Sequence, residues 1–257
     1  MKAGINLFSV KNLLENEESF LKTAYKLKEM GYSYAQFSGM HFDADMIARV
    51  SAAAELPIVL THVPMDRILN DTDALMEEHA RFNCKNIGLG MMPLDVIADK
   101  DKAYKTIEEL DRVGEKMKAN GFGFFYHHHH FEFYKHGGET VFDYILKNAK
   151  NINLTLDSYW LQFGGVDMRD TIDKLKGRIE CVHMKDYMIA IKENSEKLEF
   201  TPRFAPVGDG TIDFAAFVDH ARAAGAKYFL VEQDNASKLP DTLGQVERSI
   251  RYITEKL

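Results

Sequence analysis

The 257 residues are 46% hydrophobic and 28% charged, enough apolar material for one sizeable core. The formal net charge of −7 argues against duplex nucleic acid as the main partner, because gripping phosphates takes clustered Lys and Arg. Cys84 and Cys181 lack CxxC spacing and read as buried reduced thiols. The apolar start of MKAGINLFSV is too short for a signal peptide, and no run approaches the roughly 18 apolar residues of a membrane span, so the expectation is a soluble, cytoplasmic chain with no membrane partner.

Short apolar or β-branched runs occur near 3–8, 33–38, 57–62, 86–90, 122–127, 152–157, 179–185 and 228–233. Stretches of helical periodicity separate most of them. Over 17–31, Phe20, Leu21, Ala24, Leu27 and Met30 recur at spacings of three and four until Gly31. Over 102–120, Ala103, Ile107, Leu110, Val113 and Met117 repeat this and stop at Asn120-Gly121; over 213–224, Phe214, Phe217, Val218 and Ala221 close at Gly225. A last helix over 241–255 starts with Asp241 or Thr242 as its cap. Eight strand–helix units in about 250 residues predict parallel strands joined by right-handed crossovers, closed as a single-domain (β/α)₈ TIM barrel over 1–257. A doubly wound open sheet would carry a glycine-rich turn after its first strand, and NLFSVKNLLENEE has none. The longest irregular stretch, 186–212, is expected to form a loop covering a site.

The chemistry collects at strand ends. Glu132, Asp157, His183 and Glu232 stand at or just past the ends of FGFFYHHHHFEF, INLTLDSYW, IECVHMKD and YFLVEQD. In a closed parallel barrel these ends meet on one face, where three carboxylates and one imidazole can hold a divalent ion. The four-histidine run continues an apolar strand and reads as native sequence. Alternation puts Phe125, His127 and His129 on its inward face and Tyr126, His128 and His130 on the other. Asp157 reads equally as a ligand or as the cap of the next helix. Glu232 follows Phe229-Leu230-Val231, deep enough that its charge needs a partner. His183 shares a face with Lys185, and Glu232 shares one with Asp234. His62 ends the third run in VLTHVP, where Pro64 takes the chain out of regular pairing. The single tryptophan, Trp160, offers a flat surface for a sugar ring.

HHHHFEF resembles the His-Asn-His-x-x-Glu-Phe segment of the sugar phosphate isomerase/epimerase-like proteins, the xylose isomerase-like TIM barrels. LDSYW, HMKD, PVGDGTIDF and VEQD resemble further segments of that family in the same order. The resemblance implies a (β/α)₈ fold, a divalent metal and chemistry beside a carbonyl. By position, Asp157, His183 and Glu232 match its ligands from the sixth, seventh and eighth strands. Many relatives carry Glu where His127 stands and Asn where His128 stands. Glu132 is therefore taken as the fifth-strand ligand, with His127 as the alternative. Some relatives carry Glu where this chain has Gln36, so an acid–base role there would be lost.

The expected function is a metal-dependent isomerase or epimerase of a keto-sugar or cyclic polyol. The alternative is a lyase or hydrolase that eliminates the group β to the carbonyl of a 3-keto-glycoside. Glu232 is the leading base, His129 its rival, expected to titrate near neutral pH, and Lys185 a group for the substrate oxygen. His62, His127 and Trp160 are expected to bind substrate. The ion is taken as manganese, with magnesium, cobalt or zinc as alternatives. The partner is a small carbohydrate rather than nucleic acid, and homo-oligomerisation is left open.

Overall fold

The computed structural model describes residues 1–192 and 197–257. Eight strands form one closed parallel barrel: β1 (Gly4–Asn6), β2 (Tyr34–Phe37), β3 (Ile58–His62), β4 (Asn86–Leu89), β5 (Gly123–His127), β6 (Ile152–Asp157), β7 (Cys181–Met184) and β8 (Tyr228–Val231). Each pairs with the next in chain order, and β8 returns to β1 with Gly4 opposite Leu230. The chain is thus a single-domain (β/α)₈ barrel, and the open-sheet alternative is excluded.

The helices form where the apolar spacing and caps predict them. Glu17–Glu29 begins with a reciprocal capping box between Asn16 and Ser19. Lys100–Ala119 is capped by Asp99 and buries Ala103, Ile107, Leu110 and Met117. Phe214–Ala224 ends on Gly225, whose φ of 112° is the left-handed conformation that glycine adopts without strain. Asp241, rather than Thr242, caps Thr242–Lys256 by accepting from the Gly244 N–H at 3.0 Å.

Strand alternation divides the apolar side chains between two layers. Tyr34, Leu60, Phe125, Cys181 and Leu230 fill one buried cluster, while Phe124, Tyr126, Leu154, Leu156 and Val182 join the larger one that includes the helices. Both cysteines are buried free thiols.

The stretch 186–212 is not the irregular loop expected. Asp186–Ile191 and Phe200–Ala205 pair as an antiparallel hairpin, from Asp186 opposite Ala205 to Ile191 opposite Phe200; residues 193–196, within the same stretch, lie outside the described residues. The buried Asp186 carboxylate ties this arm to the barrel. It accepts the backbone N–H groups of Tyr187, Gly208, Gly210 and Ile212 at 2.8–3.3 Å. No described helix is long and apolar enough to cross a membrane.

Candidate metal centre

The ends of β5–β8 bring His127, Asp157, His183 and Glu232 together. Each contributes one ligand-type atom, all within 4.8 Å of one another, and all four residues are buried. Asp157 serves both roles read for it. One oxygen caps Ser158–Phe163 by accepting from the Trp160 N–H at 3.0 Å, while the other faces the cluster. Glu232 accepts from the Asn6 amide at 2.7 Å and places its second oxygen 2.7 Å from His183 Nδ1.

The imidazoles are oriented from behind. His127 Nδ1–H donates to the Gly90 carbonyl at 3.2 Å, so Nε2 turns to Asp157 at 3.3 Å. His183 Nε2–H donates to Gln36 Oε1 at 2.7 Å, so Nδ1 turns inward, 3.2 Å from His127 Nε2. Outer hydrogen bonds that fix which ring nitrogen faces the centre are the usual second layer of a metal site. Two imidazole nitrogens and two carboxylates, all buried and within 4.8 Å of one another, are a donor set that a divalent cation satisfies.

The charges of the cluster depend on one another. Burial alone would lower His183, but the charge of Glu232 and hydrogen bonds with Asp157 and Glu232 outweigh it and lift the imidazole to about 9. Burial would raise Asp157 and Glu232, yet Lys185, together with His127 and His183, holds both well below the usual carboxylate range. The fully buried Lys185 ammonium lies 3.1 Å from Asp157, 3.1 Å from Glu232 and 3.2 Å from Asp234. Those three carboxylates overcome its desolvation and keep it charged. Asp234 rises to about 6, because burial and its like-charged neighbours together outweigh Lys185.

Glu132 does not join the cluster. Its carboxylate is wholly buried and turned to the outer face of β5. There it accepts from the Tyr126 hydroxyl and from the His129 backbone N–H at 2.7 Å. Burial, opposed by those two bonds, lifts it to about 7. The turn Phe131–Phe133 swings it away from the barrel mouth rather than over it, and His127, the last residue of β5, stands in the cluster instead.

A cavity of about 440 Å³ opens onto the centre, and His62, His127, His129, Lys185 and Glu232 are among its lining residues. His62 faces His127 at 5.4 Å between ring centres, and its buried Nε2 has no partner. His129 Nδ1 is also buried and unpartnered. Burial, then the charge of Lys185, pushes His129 down to about 3, so it does not titrate near neutrality as expected. Trp160 is absent from the cavity lining. It packs on His129 and His130 at 5.1 and 5.0 Å, with Lys185 Nζ 5.1 Å from its ring. His128 sits on the outer face as expected, its Nε2 accepting from the Asp157 N–H at 3.1 Å; His130 stacks on Trp160 and its Nδ1 has no partner.

Sequence reasoning missed Asn6, which steadies Glu232, and Lys11 and Lys238, which line the cavity. Asn6 was legible by the rule that exposed the others, since it closes the first strand of the same barrel.

A family model described as a xylose isomerase-like TIM barrel matches residues 24–256. The chain is 30% identical over 116 residues to an inosose dehydratase of Geobacillus thermodenitrificans, a match spanning 42% of this chain and 39% of that protein. Among solved structures it is similar to a sugar phosphate isomerase/epimerase of Parabacteroides distasonis, with a TM-score of 0.81 and 20% identity over 99% of this chain and 94% of the other. It is also similar to a xylose isomerase-like TIM barrel protein of Mycobacterium smegmatis in complex with magnesium. There the TM-score is 0.67, with 14% identity over 98% and 95% of the two chains.

Proposed function

The chain belongs to the xylose isomerase-like TIM barrel family, and from that premise we propose that it is a divalent-metal-dependent isomerase or epimerase. It would move a proton at the carbon beside the carbonyl of a keto-sugar or cyclic polyol. The observation that carries this reading is the convergence of His127, Asp157, His183 and Glu232, of which His127 and Glu232 line an open cavity. These four residues would hold the ion, with Mn²⁺ preferred and Mg²⁺, Co²⁺ or Zn²⁺ as alternatives. When bound, the ion supplies an electrophile for the substrate's oxygens.

The protein's own groups then divide the work. Glu232 is ionised and fixed by Asn6, so it stands ready as a base at the floor. Its lowered pKa makes it a weak one. His129 is neutral with its Nδ1 unpartnered, so it can accept a hydrogen bond or a proton from the substrate, but its pKa of about 3 makes it a weak base as well. Lys185 holds its proton too tightly to act as an acid near neutrality, so its part is to donate a hydrogen bond and to balance the carboxylates. His62 offers its free Nε2 to a substrate hydroxyl.

A second reading is elimination of the group β to the carbonyl, favoured by the partial likeness to an inosose dehydratase. The same proton abstraction begins both reactions. Incubation with Mn²⁺ in D₂O, using free ketoses and 3-keto-glycosides, separates them after the metal is chelated and the products are examined by NMR. Deuterium beside the carbonyl without cleavage supports isomerisation, and released aglycone supports elimination. A protein that neither carries nor binds a divalent ion would sink both.

A further inference from the structure

Two ammonium groups that line the same cavity form no ion pair among the described residues. Lys11 lies on the 3₁₀ helix Leu7–Leu13 after β1, and Lys238 on the 3₁₀ turn Ala236–Lys238 after β8. Since β1 and β8 are neighbours in the barrel wall and the two segments pack on each other, both lysines enter from one side. Among the described residues neither has a carboxylate within 4.0 Å. Lys11 Nζ stands 3.7 Å from the centre of the Phe8 ring, which also lines the cavity. Such a contact holds an ammonium in place and leaves its charge uncompensated.

Lys185 shows the contrast. It lies at the floor, where Asp157, Glu232 and Asp234 already neutralise it. Ser38, Gly39, Gly90 and Met91, also in the lining, bring no charge, and the two lining carboxylates, Glu232 and Asp234, are the ones turned to Lys185. A chain with a net charge of −7 repels anions in general, whereas a pair of cations with no described carboxylate in contact makes their side of the cavity locally favourable to them.

We propose that Lys11 and Lys238 form a subsite for an anionic terminal group, a carboxylate or a phosphate ester, on the sugar whose carbonyl end reaches the four-residue centre. This rests on the reading of the cavity as the substrate site. The lysines would select acidic sugars over neutral ones of the same skeleton, each raising affinity about tenfold through a charge-assisted hydrogen bond.

Calorimetric titration with D-fructose, D-fructuronate and D-fructose 6-phosphate, with Mn²⁺ present throughout, tests the proposal. The wild-type protein is expected to bind at least one acidic ketose ten- to a hundredfold more tightly than fructose, and which one wins identifies the anion. The ratio should fall towards one in the Lys11→Gln/Lys238→Gln double variant, fall with added KCl, and persist in Lys238→Arg. Circular dichroism of each variant checks that it is folded. Equal affinity for all three sugars in the wild type overturns the proposal. So does a preference that survives the double substitution, which would mean that the anion is held by the metal alone. Lysine-dependent preference without deuterium exchange in any substrate would uphold the subsite and sink the proton-transfer reading instead.

Discussion

At the scale of single residues, the fifth-strand position separates a cluster residue from a structural one. His127 has a ring nitrogen facing Asp157 and His183, whereas both Glu132 oxygens are occupied by Tyr126 and His129. His127→Ala should therefore weaken Mn²⁺ binding by more than the roughly 10–100-fold typical of losing an outer partner, while Glu132→Gln should bind like the wild type. Equilibrium dialysis with metal analysis distinguishes them, and the reverse ranking would restore Glu132 as the ligand. His129 carries the complementary prediction. His129→Asn should keep the metal and lose roughly 10²–10⁴ in kcat, the usual range for a general acid–base group. Full turnover at saturating Mn²⁺ would leave Glu232 as the base.

At the scale of elements, the arm formed by Asp186–Ile191 and Phe200–Ala205 depends on one carboxylate. Asp186 gathers four backbone N–H groups, three of them from the segment that follows the arm. Asp186→Asn would turn an amide NH₂ towards at least one of those donors and leave it buried and unpaired, at a cost of about 1–3 kcal/mol. Urea unfolding should show the loss as a lower midpoint with an unchanged slope. A midpoint equal to the wild type would mean that the arm is held by its own pairing. The same element explains a misreading of the sequence. The stretch Asp186–Ala205 has weak alternation and Pro202 within it, features that read as a loop. Pro202 is tolerated because this two-stranded ribbon leaves each strand with a free edge.

For the whole molecule, buried neutral histidines set the acid limit. His79 shows this away from the centre. It is wholly buried, donates from Nδ1 to the Leu75 carbonyl at 2.6 Å and receives the Thr61 hydroxyl at Nε2 at 2.7 Å. Burial pushes it down to about 4 from an ordinary 6.5. The unfolded chain therefore takes up a proton that the folded chain refuses between these values. Its contribution is complete above about pH 6.5 and is lost progressively as the pH falls through 4, amounting to roughly 3 kcal/mol over that window. Thermal unfolding of the wild type should weaken steadily over that range. His79→Gln, less stable at pH 7, should show a shallower decline. An identical slope in both would remove His79 from the account.

Much of this architecture was legible from local chemistry. Apolar spacing of three and four residues, aspartate and asparagine caps, and terminal glycines located the helices, and eight alternations implied closure into a barrel. Asp157, His183 and Glu232 were identifiable because residues at or next to the C-terminal ends of the strands gather on one face of that barrel. The position of Glu132 was not legible. A 3₁₀ turn separated by three residues from the end of a strand can send a side chain to either side, and only the waiting Tyr126 hydroxyl and His129 N–H decide which. Nor could sequence distance bring Lys11 and Lys238 to one cavity, since they share it only when β8 closes against β1. What the sequence determined by itself was periodicity and the residue type at each strand end. Only the tertiary structure decided which side chains share one low-dielectric space, and there proximity sets both their charges and their roles.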